Sequence, residues 1–403
     1  TTLADGNFVV TWYDTDGNNN VDGGSSHDVF AQIFKPDGSK VYQLQSDSSV
    51  PGFAGNKPAD SSDTGVDSTA VATNVTVNIG GSDTTVDIHA YSYTHNSVAE
   101  KVLVAFDAGN GSFATALRGE FRVNTHTGST QAYPSVTALV GTDAGFVVTW
   151  QDNSAHSGGS DYDVRGQLYD SSGTSVGDEF RVNTYTSHEQ QDPSVTALDD
   201  GSFVVTWESN SSQDTDDTSG YGIIGQRFDS LGQSQGDAFT VNSYTTNDQH
   251  YPTVTDLGSG NFVVAWADQS SNASRPGTDT SGWGVFGQQF TTTGFDTPAA
   301  VAGGQFQVNT YTNNHQYQPS VASFSDGGYI VTWMSNGQDG SNYGIYGQRF
   351  AADGTPHGDG EFLVNTDYTS SQQYHPSVTT LADGNFVVTW YDTDGNNNVD
   401  GGS

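Results

Sequence analysis

The stretch YDTDGNNNVDGG sets oxygen-bearing side chains at alternate positions, Asp14, Asp16, Asn18, Asn20 and Asp22, around a glycine. Alternating carboxylates and carboxamides on a turning backbone are what a hard cation needs, because Ca2+ takes about six to eight oxygen ligands at ~2.3 to 2.6 Å. The same residues return near the other end of the chain as Asp392, Asp394, Asn396, Asn398 and Asp400. Asp214 and Asp216 in SSQDTDDTSG and Asp339 in NGQDGSN are sparser versions of the pattern. The expected cofactor is therefore Ca2+ held in loops. The pattern is only partly that of an EF-hand, since no Glu stands at the twelfth position and no helices flank it. The alternative is a solvated, Asn-rich turn.

No other chemistry stands out. The histidines do not form an HExxH spacing, and no GxSxG, Walker loop or dinucleotide fingerprint is present. Carboxylates are plentiful but sit in low-complexity loops, and none is singled out as half of an acid–base pair. Catalysis is not expected. Gln131, Gln190, Gln249, Gln316 and Gln373 each stand three residues before a proline, and Asn124, Asn183, Asn242, Asn309 and Asn365 recur in VNT or VNS. A catalytic residue is needed once, whereas a hydrogen bond joining repeats is needed every time. These amides are read as structural, pairing with backbone groups at buried edges.

The elements that carry these residues are repeats. FVVTW ends at Trp12, Trp150, Trp207 and Trp390, FVVAW at Trp266 and YIVTW at Trp333, with a weaker VLVAF ending at Phe106. A second element, such as VRGQLY, IIGQRF or IYGQRF, follows, then one such as EFRVNT or EFLVNT. The fourth is a PSV-type group with its valine at 136, 195, 254, 321 and 378, and degenerate copies at Val50 and Val98. Each element is short, rich in β-branched and aromatic residues and bounded by Gly, Asp, Asn or Ser, the signature of a strand. Four strands per repeat match one blade of a β-propeller. Packing on both faces explains why FVVTW is apolar almost throughout. The tryptophans Trp12, Trp150, Trp207, Trp266, Trp333 and Trp390 are read as core anchors. The fold expected is all-β, a propeller of four-stranded blades, seven (alternatively six) per unit; a linear β-solenoid or a string of small sandwiches is the other architecture.

Residues 379–403 repeat residues 1–25 without a single difference, an offset of 378. Diverged blades do not agree at every loop position, so whole units have been copied in tandem. Residues 1–403 are expected to be one tandem unit plus a 25-residue overlap, with 51–95 a degenerate blade or an insertion. A net charge of −36 repels nucleic acid and anionic membranes and attracts divalent cations. There is no cysteine, so stability rests on packing or on oxygen-ligated ions. No apolar run approaches the ~18 residues of a membrane span.

As a set, DGSNYGIYGQRF, GEFLVNT, QQYHPSV and DGNFVVTW resemble the repeats of giant secreted bacterial proteins of the hemolysin-type calcium-binding and RTX-adhesin kind. The resemblance covers nearly the whole chain apart from roughly 51–95. It implies export to the cell surface, calcium dependence and an adhesive or surface-layer role. The nonapeptide GGxGxDxUx is missing, so calcium does not carry over from that motif. The function expected is a non-catalytic structural or adhesive unit of an extracellular protein or filament, its partners being neighbouring copies of the same unit and surface glycans, with no nucleic acid and no membrane insertion. A carbohydrate-binding, lectin-like propeller is the alternative, and a propeller glycosidase or lyase stands third.

Overall fold

The computed structural model describes residues 1–4, 6–14, 27–36, 43–45, 70–79, 82–95, 98–106, 113–118, 120–126, 129–141, 145–154, 161–210, 220–269, 282–292, 297–301, 303–366 and 372–393. Every helix or strand among them is a β-strand. In chain order they are β1 (Phe8–Asp14), β2 (Asp28–Phe34), β3 (Gln43–Gln45), β4 (Ala70–Ile79), β5 (Ser82–His95), β6 (Val98–Phe106), β7 (Phe113–Arg118) and β8 (Glu120–Arg122). Then come β9 (Gln131–Ala138), β10 (Phe146–Asp152), β11 (Asp163–Tyr169) and β12 (Ser175–Arg181), and β13 (Gln190–Ala197), β14 (Phe203–Ser209), β15 (Gly222–Phe228) and β16 (Ser234–Thr240). The next group is β17 (Gln249–Gly258), β18 (Asn261–Asp268) and β19 (Gly284–Thr291), with β20 (Ala299–Ala300) and β21 (Phe306–Gln307) both paired to β19. Last are β22 (Gln316–Ser323), β23 (Tyr329–Asn336), β24 (Tyr343–Phe350) and β25 (Pro356–Leu363), then β26 (Gln373–Thr380) and β27 (Phe386–Asp392). No helix among the described residues is long and apolar enough to cross a membrane.

The chain divides into two compact units, one of Thr1–Asp5, Val10–Phe30 and Arg122–Ser403, the other of Gly6–Val9 and Ala31–Phe121. In the second, the strands order as β3-β7-β6-β5-β4. Val98 and VLVAF, expected on two neighbouring strands of a degenerate blade, stand on the single strand β6, which pairs with β5 from His95↔Val98 to Asp87↔Phe106. Val50 lies outside the described residues. β1, β2 and β8 form a sheet in that order, so the chain from Phe34 to Glu120 is an excursion between the third and fourth strands of one repeat.

In the first unit, the sheets β9–β12, β13–β16 and β22–β25 are four-stranded antiparallel meanders, and β17–β21 follows the same plan with its outer strand in two pieces. They succeed one another in a β-propeller-like stack, and the core lies between them. Phe203, Val205 and Trp207 of β14 pack against Val147, Val164 and Leu168 of the preceding sheet. Val204, one residue out of phase, packs with Phe262, Val264 and Trp266 of the following sheet. Successive side chains of a strand point to opposite faces, so a strand sandwiched between two sheets is apolar in both phases. All seven residues of β10 and of β14 are accordingly buried.

Each recurrent motif has a local cause. In GQRF and its relatives, the phenyl ring of the neighbouring outer strand lies where a Cβ would stand: one added at Gly166 would meet Phe180 at 2.6 Å, and one at Gly287 would meet Phe306 at 2.7 Å. The glutamine that follows fills a β-bulge, with Gln167 Nε2 donating to the carbonyls of Leu168, Val176 and Gly177 at 3.0, 3.3 and 3.2 Å. The Ser and Thr of PSVT join sheets: Val195 N–H donates to Ser135 Oγ at 3.1 Å, and Ala197 N–H to Thr137 Oγ1 at 3.3 Å. The same pair recurs one sheet on, from Val254 to Ser194 and from Asp256 to Thr196, both at 3.2 Å.

Candidate functional site

Of the oxygens expected to hold Ca2+, those of Asp16, Asn18, Asn20, Asp22, Asp214, Asp216, Asp394, Asn396, Asn398 and Asp400 lie outside the described residues, and of Asp14 only its place at the end of β1 is described. Asp392 accepts from Gln373 Nε2 at 3.1 Å, and Asp339 Oδ1 accepts from the backbone and the hydroxyl of Ser341, both at 2.9 Å. Each is thus engaged inside its own hairpin or turn.

Trp150, Trp207, Trp266 and Trp333 are at most 1% exposed, and Trp207 Nε1 donates to Gln190 Oε1 at 2.8 Å. Trp12 is half-buried and stacks on Phe30. Trp390, on β27 of the two-stranded sheet β26–β27, is 36% exposed. Gln131, Gln190, Gln249, Gln316 and Gln373 are fully buried. Asn124, Asn242, Asn309 and Asn365 bridge to their glutamines, as where Asn242 Oδ1 accepts from Ile223 N–H at 2.7 Å while its Nδ2 donates to Gln249 Oε1 at 2.8 Å, whereas Asn183 Nδ2 donates to Asp163 Oδ1 at 2.7 Å. Arg227 pairs with Asp200, whereas Arg349 lies over the ring of Phe324 at 4.3 Å.

His126, Asp152 and Glu179 offer ligand atoms within 4.8 Å of one another. Their interactions are those of a closed polar network. Asp152 accepts from Gln131 and Ser154, its Oδ2 lies 3.6 Å from Arg165 Nε, and Glu179 accepts both the N–H and the hydroxyl of Thr125. A guanidinium already supplies the positive charge there.

A different cluster arises where the inner strands bulge. In each, the residue before the proline has a left-handed backbone: Tyr133 (φ 52°), Asp192 (50°), Tyr251 (58°), Gln318 (53°) and His375 (50°). The ladder slips at that point, as between Gln191 and Ser194 on β13. Such a bulge re-aims a side chain out of the pleat. At two of the bulges the N–H is taken up by the residue that follows the tryptophan of the preceding sheet. Asp192 N–H donates to Gln151 Oε1 at 3.2 Å, and Tyr251 N–H donates to Glu208 Oε1 at 2.6 Å. Glu208 is 1% exposed, and its other oxygen lies 2.6 Å from His250 Nδ1.

These bulges bring Asp192, Glu208 and His250 together. Burial, followed by the charge of Glu208 and a hydrogen bond with it, pushes the Asp192 carboxyl up to about 8, so near neutral pH it holds a proton against the Glu208 carboxylate. Burial opposes the charged form of His250, but Glu208, Asp248 and Asp192 outweigh it and raise its pKa. Aromatic rings flank the cluster. Tyr133 is 52% and Tyr251 38% exposed. From Tyr251 a row continues through Tyr317, Tyr343, Tyr374 and Tyr391, with neighbouring ring centres 6.3, 5.7, 5.5 and 5.3 Å apart.

Reading the repeats for what recurs passes over this cluster, yet a sequence signal exists. At the pre-proline position the other repeats have Tyr, Tyr, Gln and His where Asp192 stands, and after the tryptophan they have Gln, Ala, Met and Tyr where Glu208 stands. One repeat breaks the pattern twice, both times with an acid.

No protein-family model matches the chain, and no curated protein matches it. Similar solved structures include an α-L-arabinanase of Penicillium chrysogenum complexed with arabinobiose, 16% identical, covering 64% of this chain and 74% of that one at a TM-score of 0.45. A GH93 α-L-arabinofuranosidase of Fusarium graminearum with arabinobiose is 17% identical over 64% of this chain and 74% of that one, at 0.44. A protein of unknown function from Dyadobacter fermentans is 11% identical over 76% and 87%, at 0.43. The expectation of a non-catalytic structural or adhesive unit is corrected here. Glycoside-cleaving enzymes stand among the similar structures.

Proposed function

We propose that this chain is a glycan-processing β-propeller whose acid–base centre is Asp192, Glu208 and His250 and whose exposed tyrosines form the sugar platform. The observation that carries the reading is the Asp192–Glu208 pair, set between the exposed rings of Tyr133 and Tyr251. Tyrosine faces present an apolar body and a polar tip, which suits a sugar ring. In the same reading the propeller has five blades per 378 residues, because 35–119 is an excursion from the first blade rather than blades of its own.

Near neutral pH, Asp192 is the proton donor: it protonates the glycosidic oxygen as the C–O bond breaks, and a water then adds to the anomeric carbon and returns its proton to the Asp192 carboxylate. Glu208 accepts the Tyr251 N–H and lies against His250, which holds it beside the Asp192 carboxyl. Carboxyls that act from opposite sides of a glycosidic bond stand ~5 to 9.5 Å apart. Two that share a proton serve one side of it. With a net charge of −36, polyuronates and sulfated glycans are repelled, so the substrate is a neutral polysaccharide.

The test is reducing-sugar release and binding on a panel of neutral polysaccharides, including arabinan and xylan. Asp192→Asn should lower kcat by about 10²-fold or more with binding retained, and Tyr251→Ala should weaken binding. An Asp192→Asn chain as active as the unmodified one would overturn the reading, as would binding with no cleavage of any glycan.

A further inference from the structure

The inner strands β9, β13, β17 and β22 stand side by side in chain order. Ser135 accepts from Val195 N–H, Ser194 from Val254 N–H, and the hydroxyl of Thr255 donates to that of Ser323. Their bulges therefore set Tyr133, Asp192 and Tyr251 in a row with the carboxyl in the middle. Beyond Tyr133 a further ring follows, Tyr13 at 5.5 Å, and beyond Tyr251 follows Tyr317 at 6.3 Å, centre to centre. Tyr133 and Tyr251 are exposed, and Tyr13 and Tyr317 are half-buried.

The plan of the repeat does not call for these four tyrosines. Where Tyr13 stands, after the tryptophan, other repeats have Gln151, Glu208, Ala267 and Met334. At the place of Tyr133 and Tyr251, before the proline, others have Asp192, Gln318 and His375, and at the place of Tyr317 they have Ala132, Gln191 and His250. Tyr343, by contrast, shares its place with Tyr162, Tyr221 and Trp283, so a ring there belongs to the architecture. Neighbouring rings that the fold does not need and that stay open to water mark a binding face. Two of them lie on each side of Asp192. An acid at the end of such a face meets the end of a chain, whereas one in the middle meets a bond with sugar on both sides.

We propose that the centre is endo-acting: it cuts inside a linear polysaccharide whose sugar units lie on Tyr133 and Tyr13 on one side of the broken bond and on Tyr251 and Tyr317 on the other. This rests on the glycan reading. Each event is the hydrolysis already described, one C–O bond broken and one water consumed, and it leaves two shorter chains. Binding of the distant units is used to stabilise the transition state, so short substrates lose kcat and not only affinity.

The test follows hydrolysis of linear arabinan and xylan by the full 403-residue chain, with chain length read by viscosity or gel filtration against reducing ends. Mean length should collapse while only a small share of the bonds is cut, leaving oligosaccharides of mixed length. Release of single sugars, or of one fixed short product, from chains that otherwise keep their length would overturn the proposal and leave the glycan reading intact. No release from any glycan would overturn both. Tyr13→Ala and Tyr317→Ala, which remove the outer ring on each side, should each lower the ratio of kcat/KM on long to short oligosaccharides by roughly tenfold. Tyr13→Phe and Tyr317→Phe, which keep the rings, should keep the ratio. A ratio unchanged in either alanine variant would overturn the two-sided face. Where an alanine variant fails to fold, the product lengths from the unmodified chain still decide.

Discussion

Gln151 and Glu208 hold the same place in successive sheets and make the same bond, each accepting the N–H of the bulged residue in the following inner strand, Asp192 at 3.2 Å and Tyr251 at 2.6 Å. A neutral amide is sufficient for that structural task, so the bond does not explain why an acid stands at 208, where the second oxygen meets His250 at 2.6 Å. Glu208→Gln should therefore keep the bond to the Tyr251 N–H and with it the fold, and should lose glycan cleavage. Glu208→Ala removes the acceptor of a buried N–H and should cost about 1–3 kcal/mol in chemical denaturation. Equal stability of the Gln and Ala variants would show that the shared bond carries no weight.

The same cluster makes stability depend on pH. Asp192 is raised to about 8 by burial and by Glu208, and Asp256 to about 7 by burial and by Asp199. A carboxyl whose folded pKa lies above its unfolded value contributes stability that is fully present below the unfolded value and is lost as pH rises through the folded one. His250, also raised, has the same sign. Asp200 acts oppositely: hydrogen bonds from Ser202 and the Arg227 charge overcome its desolvation and lower its pKa, so its contribution is lost only in acid. Thermal unfolding at constant ionic strength should show the midpoint falling from about pH 5 to about pH 8, and Asp192→Asn should remove a large part of the fall, on the order of 3 kcal/mol. A rising midpoint over that range would contradict the assignment.

The tryptophans should separate by position. Trp207, 1% exposed and bonded to Gln190, should cost about 3–5 kcal/mol when replaced by alanine. Trp390, the same residue of the same motif but 36% exposed, should cost far less. Denaturant titrations of Trp207→Ala and Trp390→Ala decide it, and equal losses would mean that β27 is as well packed as β14.

Gly166→Ala forces a methyl against the Phe180 ring, where the nearest carbon is 2.6 Å from the new atom, and should destabilise by about 1–3 kcal/mol. Phe180→Leu in the same chain should recover part of that loss. A double-mutant cycle with no coupling between the two positions would separate the glycine from the ring.

The all-β character, the four strands of each repeat and the two-sided burial of FVVTW were legible in the sequence because they rest on strand periodicity and short apolar runs, which act locally. The recurrent Gln and Asn were legible because repetition itself marks them out. Pairing between strands distant in the chain was not. VLVAF has the composition of a blade strand, yet it runs on from Val98 as one strand of another sheet, and β8 returns to β2 only after the excursion between them. Composition does not encode which strands meet. The acid–base cluster was hidden for the same reason. Asp192, Glu208 and His250 come from three strands of two sheets, and only the bulge before each proline, repeated in register from sheet to sheet, turns them toward one another and out of water, which is what lifts the Asp192 carboxyl to about 8.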